Sequence, residues 1–168
     1  MYNICTFIEN VIKFFNIKIK LLYWKIKYGK RLKLGKKITF RKGFIINIAK
    51  NGYLEIGDNN FFNNYCSINV HEKVIIGNNN DFGESVKIYD HSKVFNDKKV
   101  DMKHTYKSNP IYIGNNNWVC SNVVILNNSK IECDCVIGAG VIVNSRVKKE
   151  TIVKSMQEYV FKKINFKI

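Results

Sequence analysis

Proline is almost missing from this chain: one residue, Pro110, in 168, alongside only ten glycines. That scarcity excludes a collagen-like chain and a Pro/Gly-rich disordered one. Acidic residues are scarce too, 13 against 28 Lys and Arg, which leaves a net charge of +15. The surplus either answers an anionic partner (nucleic acid, membrane phosphate or a phosphorylated cofactor) or reflects a Lys/Asn/Ile-rich composition. Nucleic acid is not expected, because the charge comes without interleaved aromatic stacking motifs. No run of eighteen apolar residues occurs, so no transmembrane helix is predicted. Ile12 to Ile19 is broken by Lys13 and Lys18, and no small-residue cleavage site follows, so no signal peptide is expected and the reading is cytoplasmic. The five cysteines form no repeated framework. Cys133 and Cys135 are spaced C-x-C with no second Cys or His pair nearby, so neither zinc nor another metal is predicted, and reduced structural thiols are expected.

What is present is a rhythm. Aliphatic residues stand at Ile113, Val119, Ile125, Ile131, Ile137 and Val143, six apart each time. Period six fits neither an α-helix nor a simple alternating strand. It fits a solenoid in which each hexad supplies one short side and every sixth side chain points to a common axis. Three hexads make a coil, stacked on the next at about 4.8 Å. A single coil cannot bury its apolar row, so several must stack. With 46% hydrophobic residues, 168 residues suffice for one such domain.

The rhythm divides the chain. Over 1–30, apolar residues from Phe7 to Tyr23 recur at helical spacing with lysines between them, and Gly29 is a stop. Twelve Lys or Arg and no acid lie between Lys13 and Lys42. Such a basic amphipathic helix suits an anionic membrane surface at its inner face, or it packs on the first coil or on a neighbouring subunit. In either case it is expected to stand apart from the catalytic centre. Ile38 and Phe44 form the first six-spaced pair, with an irregular passage after them through Gly52. The solenoid is predicted over 31–153, with two extra residues, Val74 and Ile75, between Ile68 and Ile76. A charged excursion over 94–110 loops out of it, and a short helix is predicted over 154–168.

His71 and His91 each occupy the fourth place of a hexad, after Ile68 and Ile88, so they are expected to stack one coil apart. His91 opens directly into the excursion. An imidazole there titrates near neutral pH and can serve as a general base.

Two blocks, "FGESVKIYDHSKVF" (82–95) and "IYIGNNNWVCSNVVILNNSKIECDCVIGAGVIV" (111–143), resemble the hexapeptide-repeat acyltransferases, and most of all their sugar O-acetyltransferases. A third, "FFNNYCSI" (61–68), is similar to the coil in which that family holds an Asn facing the acceptor, here Asn63. The resemblance implies an all-β fold, a left-handed parallel β-helix, assembled as a homotrimer with each site between two solenoids. It implies transfer from acetyl-CoA to a hydroxyl of a sugar or polysaccharide acceptor, with His91 catalytic and Asn63, His71, Tyr89 and Asp90 on the acceptor side. Trp118, Ser121, Ala139, Gly140, Arg146 and Lys148 are implied for the cofactor, Arg146, Lys148 and Lys149 meeting its phosphates as cations. The chain departs from the family pattern at Lys93, where a second His is frequent, and at Cys120, Ser121, Ser145–Arg146 and Lys148–Lys149 on the cofactor side. Two alternatives stay open: N-acetylation of an amino sugar, and a catalytically weak trimeric scaffold in polysaccharide assembly.

Overall fold

In the computed structural model the described residues are 4–94, 101 and 105–155. They form one 25-residue helix, α1 (Ile4–Tyr28), followed by a parallel β-solenoid of about six coils. Three flat faces run along it. The first stacks six strands from Leu32–Leu34 to Arg146–Val147, the second six from Thr39–Phe40 to Ile152–Val153, and the third five from Ile45–Ile48 to Ile142–Val143. Every rung of these faces is parallel and in register, for instance Ile56 on Ile76 on Ile113 on Ile131 on Val147.

The axis is dry. Ile56, Phe62 and Ile68, and their equivalents one coil on, Ile76, Phe82 and Ile88, are all at most 1% exposed. Phe44, Phe62 and Phe82 form a stack with ring centroids 4.4 and 4.6 Å apart and nearly parallel planes; Phe62 and Phe82 are ladder partners at the strand spacing, whereas Phe44 reaches the stack from another place in its coil. Beside it Asn60, Asn80 and Asn117 form a buried amide ladder. Asn60 Oδ1 accepts from the Asn80 side chain and backbone, each at 3.0 Å, and Asn80 Oδ1 accepts from Asn117 N–H at 2.9 Å. Most corners need a residue at positive φ, and Asn59, Asn79, Asn116, Asn122, Asn128 and Asp134 supply it, the residue types that tolerate the left-handed region best after glycine. A chain so poor in glycine turns its corners with asparagine.

Three expectations need correction. The passage after Phe44 is regular at first: Ile45–Ile48 is a strand paired residue for residue with Ser67–Val70, and only 49–52 is a turn. The axial row of this first coil is Leu34, Phe40 and Ile46, equivalent to Ile56, Phe62 and Ile68, while Ile38 and Phe44 hold the small-residue place four positions later. Val74 and Ile75 are not an insertion, since they pair with Leu54 and Glu55 and with Ile111 and Tyr112. The extra length sits at the corner His71–Glu72, between the strands Ser67–Val70 and Lys73–Ile76. The excursion is more ordered than a loop at its base, where His91–Lys93 pairs antiparallel with Tyr106–Ser108. His104 lies outside the described residues, as does the predicted C-terminal helix from residue 156 onward.

Helix α1 lies with one edge against the first coil. Trp24 and Tyr28 are buried, and Trp24 packs on Phe40 and Phe44 with centroids 5.5 Å away in both cases. The Tyr28 hydroxyl donates to Ile46 O (2.8 Å), Lys20 Nζ to Phe44 O (2.6 Å), and Arg31 Nη1 to Ala49 O (2.6 Å). The helix stops at Gly29, which takes φ +54°.

Candidate active site

The lengthened corner at His71–Glu72 and the base of the ribbon at His91 stack on one another, because the third-face strands below them pair Asn69 with Tyr89. The two imidazoles lie face to face with centroids 3.8 Å apart. Asp90, between the elements, is fully buried. Its Oδ1 accepts the His71 backbone N–H at 2.8 Å, and its Oδ2 accepts those of Glu72 (2.7 Å) and Lys73 (2.9 Å). Oδ1 also faces His91 Nδ1 at 3.0 Å. Since a carboxylate can only accept, Nδ1 carries the hydrogen of a neutral ring, and Nε2 is left as the basic nitrogen. Tyr106, from the returning strand of the ribbon, covers the pair, 4.2 Å from His71 and 5.3 Å from His91, and accepts a hydrogen bond from Lys93 Nζ (2.6 Å).

Burial pushes the His71 pKa below its ordinary value, and the neighbouring His91 pushes the same way. Lys93 adds to this, while Asp90 opposes it. His71 therefore resists taking up a proton.

These rings open on a cleft of about 330 Å³, bounded by Lys27 and Tyr28 of α1, by Asn47 and Asn69, and by Tyr89. Asn47 Nδ2 donates to Asn69 Oδ1 at 2.9 Å, and the pair forms a polar floor. His71 and Tyr89, which the resemblance implied for the acceptor side, and His91, which it implied as catalytic, all line this cleft. Asp90 is a different case, because its carboxylate is enclosed and contacts the corner at 71–73 and the His91 ring. Asn63 is also not at the cleft. It stands at the corner between the second and third faces, where its Oδ1 accepts from Asn64 N–H (2.8 Å). Helix α1, expected to stand apart, supplies one wall through Lys27 and Tyr28.

The residues expected for the cofactor divide into two groups. Trp118 is exposed on the second face, and Ser121, Ala139 and Gly140 line the edge between the second and third faces, where Gly140 N–H donates to Ser121 O (3.0 Å). Ser121 presses on the coil below so closely that a side chain at Gly83 would lie 2.6 Å from its backbone N. Arg146 and Lys148 are on and just after the first face instead, with Arg146 held by Glu132. One chain does not bring the two groups together. Among the described residues no group of three or more His, Cys, Asp or Glu is arranged to hold a metal.

No protein-family model matches the chain, and no curated protein matches it in sequence. Solved structures do. A hexapeptide-repeat-containing acetyltransferase of Vibrio cholerae, VCA0836, crystallised with acetyl coenzyme A, is 26% identical over 71% of this chain, with a TM-score of 0.64. This chain spans 64% of that protein's length. A maltose O-acetyltransferase of Clostridium difficile is 25% identical over 76% of this chain and 72% of its own, with a TM-score of 0.63. The N-acyltransferase AntD of Bacillus cereus, at 14% identity over 73% of this chain and 72% of its own, with a TM-score of 0.59, shares the fold. The resemblance to hexapeptide-repeat acyltransferases is thus carried by the fold as well as by the residues.

Proposed function

We propose that this chain is an acetyltransferase that moves the acetyl group of acetyl-CoA to a hydroxyl of a sugar, in a cell-surface polysaccharide or its precursor. The observation that carries the reading is the Asp90–His91 contact beneath the ribbon, with the second imidazole stacked on it. As the sugar oxygen attacks the thioester carbon, His91 Nε2 takes its proton, and Asp90 stabilises the imidazolium that forms. When the carbon–sulfur bond breaks, the CoA sulfur leaves with the electron pair and receives that proton from His91. No acyl-enzyme is needed. The polar floor of Asn47 and Asn69 and the ring of Tyr89 are suited to a saccharide, with hydroxyls to donate and an apolar ring face to cover. The donor is a cytoplasmic metabolite, which supports action in that compartment. A homotrimer is part of the same reading.

His91→Ala tests it. Turnover should fall by roughly 10²–10⁴-fold, the usual worth of a general base. The dissociation constant for CoA, measured by calorimetry, should stay within about twofold, because the lost interaction belongs to the transition state. Near-normal turnover in the variant would end the assignment. Alkaline hydroxylamine treatment of the product separates the labile ester of O-acetylation from the amide that an amino sugar would give.

A further inference from the structure

Helix α1 has two apolar faces, and the solenoid uses one. Ile17, Leu21, Trp24 and Tyr28, four and three residues apart, turn to the first coil. On the opposite side Ile8, Ile12, Phe15, Ile19, Leu22 and Ile26 recur with the same spacing, from 49% exposed at Ile8 to 76% at Ile26. At 1.5 Å per residue this second stripe runs for about 27 Å along a helix about 37 Å long. It is flanked by Lys18 and Lys25 on one side and by Lys27 on the other, while Lys13 and Lys20 lie nearer the solenoid.

A groove of about 750 Å³ follows the helix where it leaves the solenoid, with Ile17, Phe40 and Phe61 as its floor and Lys13, Lys20, Arg41 and Lys42 around it. No acid lines it. Lys20 is held by Phe44 O, Lys13 Nζ stands 4.0 Å from the Glu9 carboxylate on the same helix, Arg41 lies over the Phe61 ring at 5.6 Å, and Lys42 is exposed.

We infer that α1 lies flat on an anionic phospholipid bilayer, its outer stripe sunk to the acyl boundary and the lysines and groove cations over the phosphates. A helix that combines a long apolar stripe with cationic flanks is suited to that boundary. No helix among the described residues is long and apolar enough to cross a membrane, so α1 lies on the surface rather than spanning it. A second copy of this helix is the poorer occupant, because it would set lysine borders against lysine borders in a chain of net charge +15. Ile26 and the cleft-lining Lys27 are consecutive, so a docked helix brings the rim of the histidine cleft to the level of the headgroups.

The test is sedimentation of the full chain with vesicles of phosphatidylcholine alone and of phosphatidylcholine with a third phosphatidylglycerol. Binding is expected to the anionic vesicles, at least tenfold weaker to the neutral ones, and weakened by 0.5 M salt. The double variant Phe15→Ser/Ile19→Ser, at exposed positions, should lose that binding at least tenfold with an unchanged melting profile. Arg41→Glu/Lys42→Glu should weaken it several-fold. Equal binding to both vesicles, or binding unchanged in the stripe variant, would overturn the inference. So would a native protein that ignores both vesicles and whose mass by light scattering falls when the stripe is made polar, since the stripe would then be a contact between subunits. Acetyl transfer enters none of these readouts, so the result is independent of the proposed activity.

Discussion

The two stacked histidines show what a single residue's surroundings decide. A hexad lattice places equivalent positions above one another, so the stacking of His71 on His91 was legible once the six-residue rhythm was found. Their difference was not legible, because it comes from Asp90, whose carboxylate organises three backbone N–H groups of the lower corner and one ring of the upper. Asn47 and Asn69 hold the same lattice place as Tyr89 and could have been found by the same count. Tyr106 could not, since it returns on a segment with no period. The depressed pKa of His71 has a consequence for stability. The unfolded chain takes up a proton near pH 6.5, while the folded one resists it, so the unfolded state binds more protons below that pH. The contribution of His71 is therefore intact above about pH 6.5 and is lost as pH falls toward the lower folded value. Urea midpoints measured at pH 7.5 and pH 5 should fall on acidification, and His71→Gln should flatten part of that slope. An identical slope in the variant would assign the acid sensitivity elsewhere.

At the level of elements, the late coils were the easiest to recognise, because 111–143 repeats without insertion. The first coil was harder for a physical reason. Its axial row includes Phe40, and Phe44 beside it fills the place that Cys66 and Val86 hold in the next coils, so a large residue stands where small ones mark the rhythm higher up. Helix α1 was legible from its 3.6-residue spacing, but spacing alone cannot tell which of two apolar sides is buried. The buried side ends in Tyr28, and that makes the last helical turn part of the cleft. A chain that begins at residue 20 should therefore fold and keep its turnover on a short saccharide acceptor within a few fold. One that begins at residue 32 loses Trp24 and Tyr28 together. Removal of a buried Trp alone costs about 3–5 kcal/mol, and the freed Ile46 carbonyl adds about 1 kcal/mol more. Thermal melts and the KM for the acceptor check this. Equal KM in the two truncations would mean that the helix does not shape the acceptor site.

The whole molecule presents a geometric question that one solenoid leaves open. His91 stands at the corner between the third and first faces, whereas Ser121, Ala139 and Gly140 line the opposite edge of the third face. On the proposed function, either one acetyl-CoA crosses that entire face, held from one side, or the two edges act from different copies. The outward rung of the third face runs Ile45, Ser67, Lys87, Val124 and Ile142, with an exposed isoleucine at each end, a flat surface on which a neighbouring solenoid could lie. In a closed three-fold ring the His91 corner of one copy would then meet the cofactor edge of the next. Light scattering should give three times the chain mass of 19.6 kDa. A mixing experiment is more searching. His91→Ala lacks the base, and Ala139→Trp, a substitution at an exposed position, should obstruct the cofactor edge without unfolding the coil. Each should be nearly inactive alone. Co-expressed in equal amounts, they should recover activity, because some interfaces pair an intact His91 from one variant with an intact edge from the other, roughly a quarter of them for random assembly. If each copy contains its whole site, no mixture can recover anything, and an active monomer would dispose of the shared site as well.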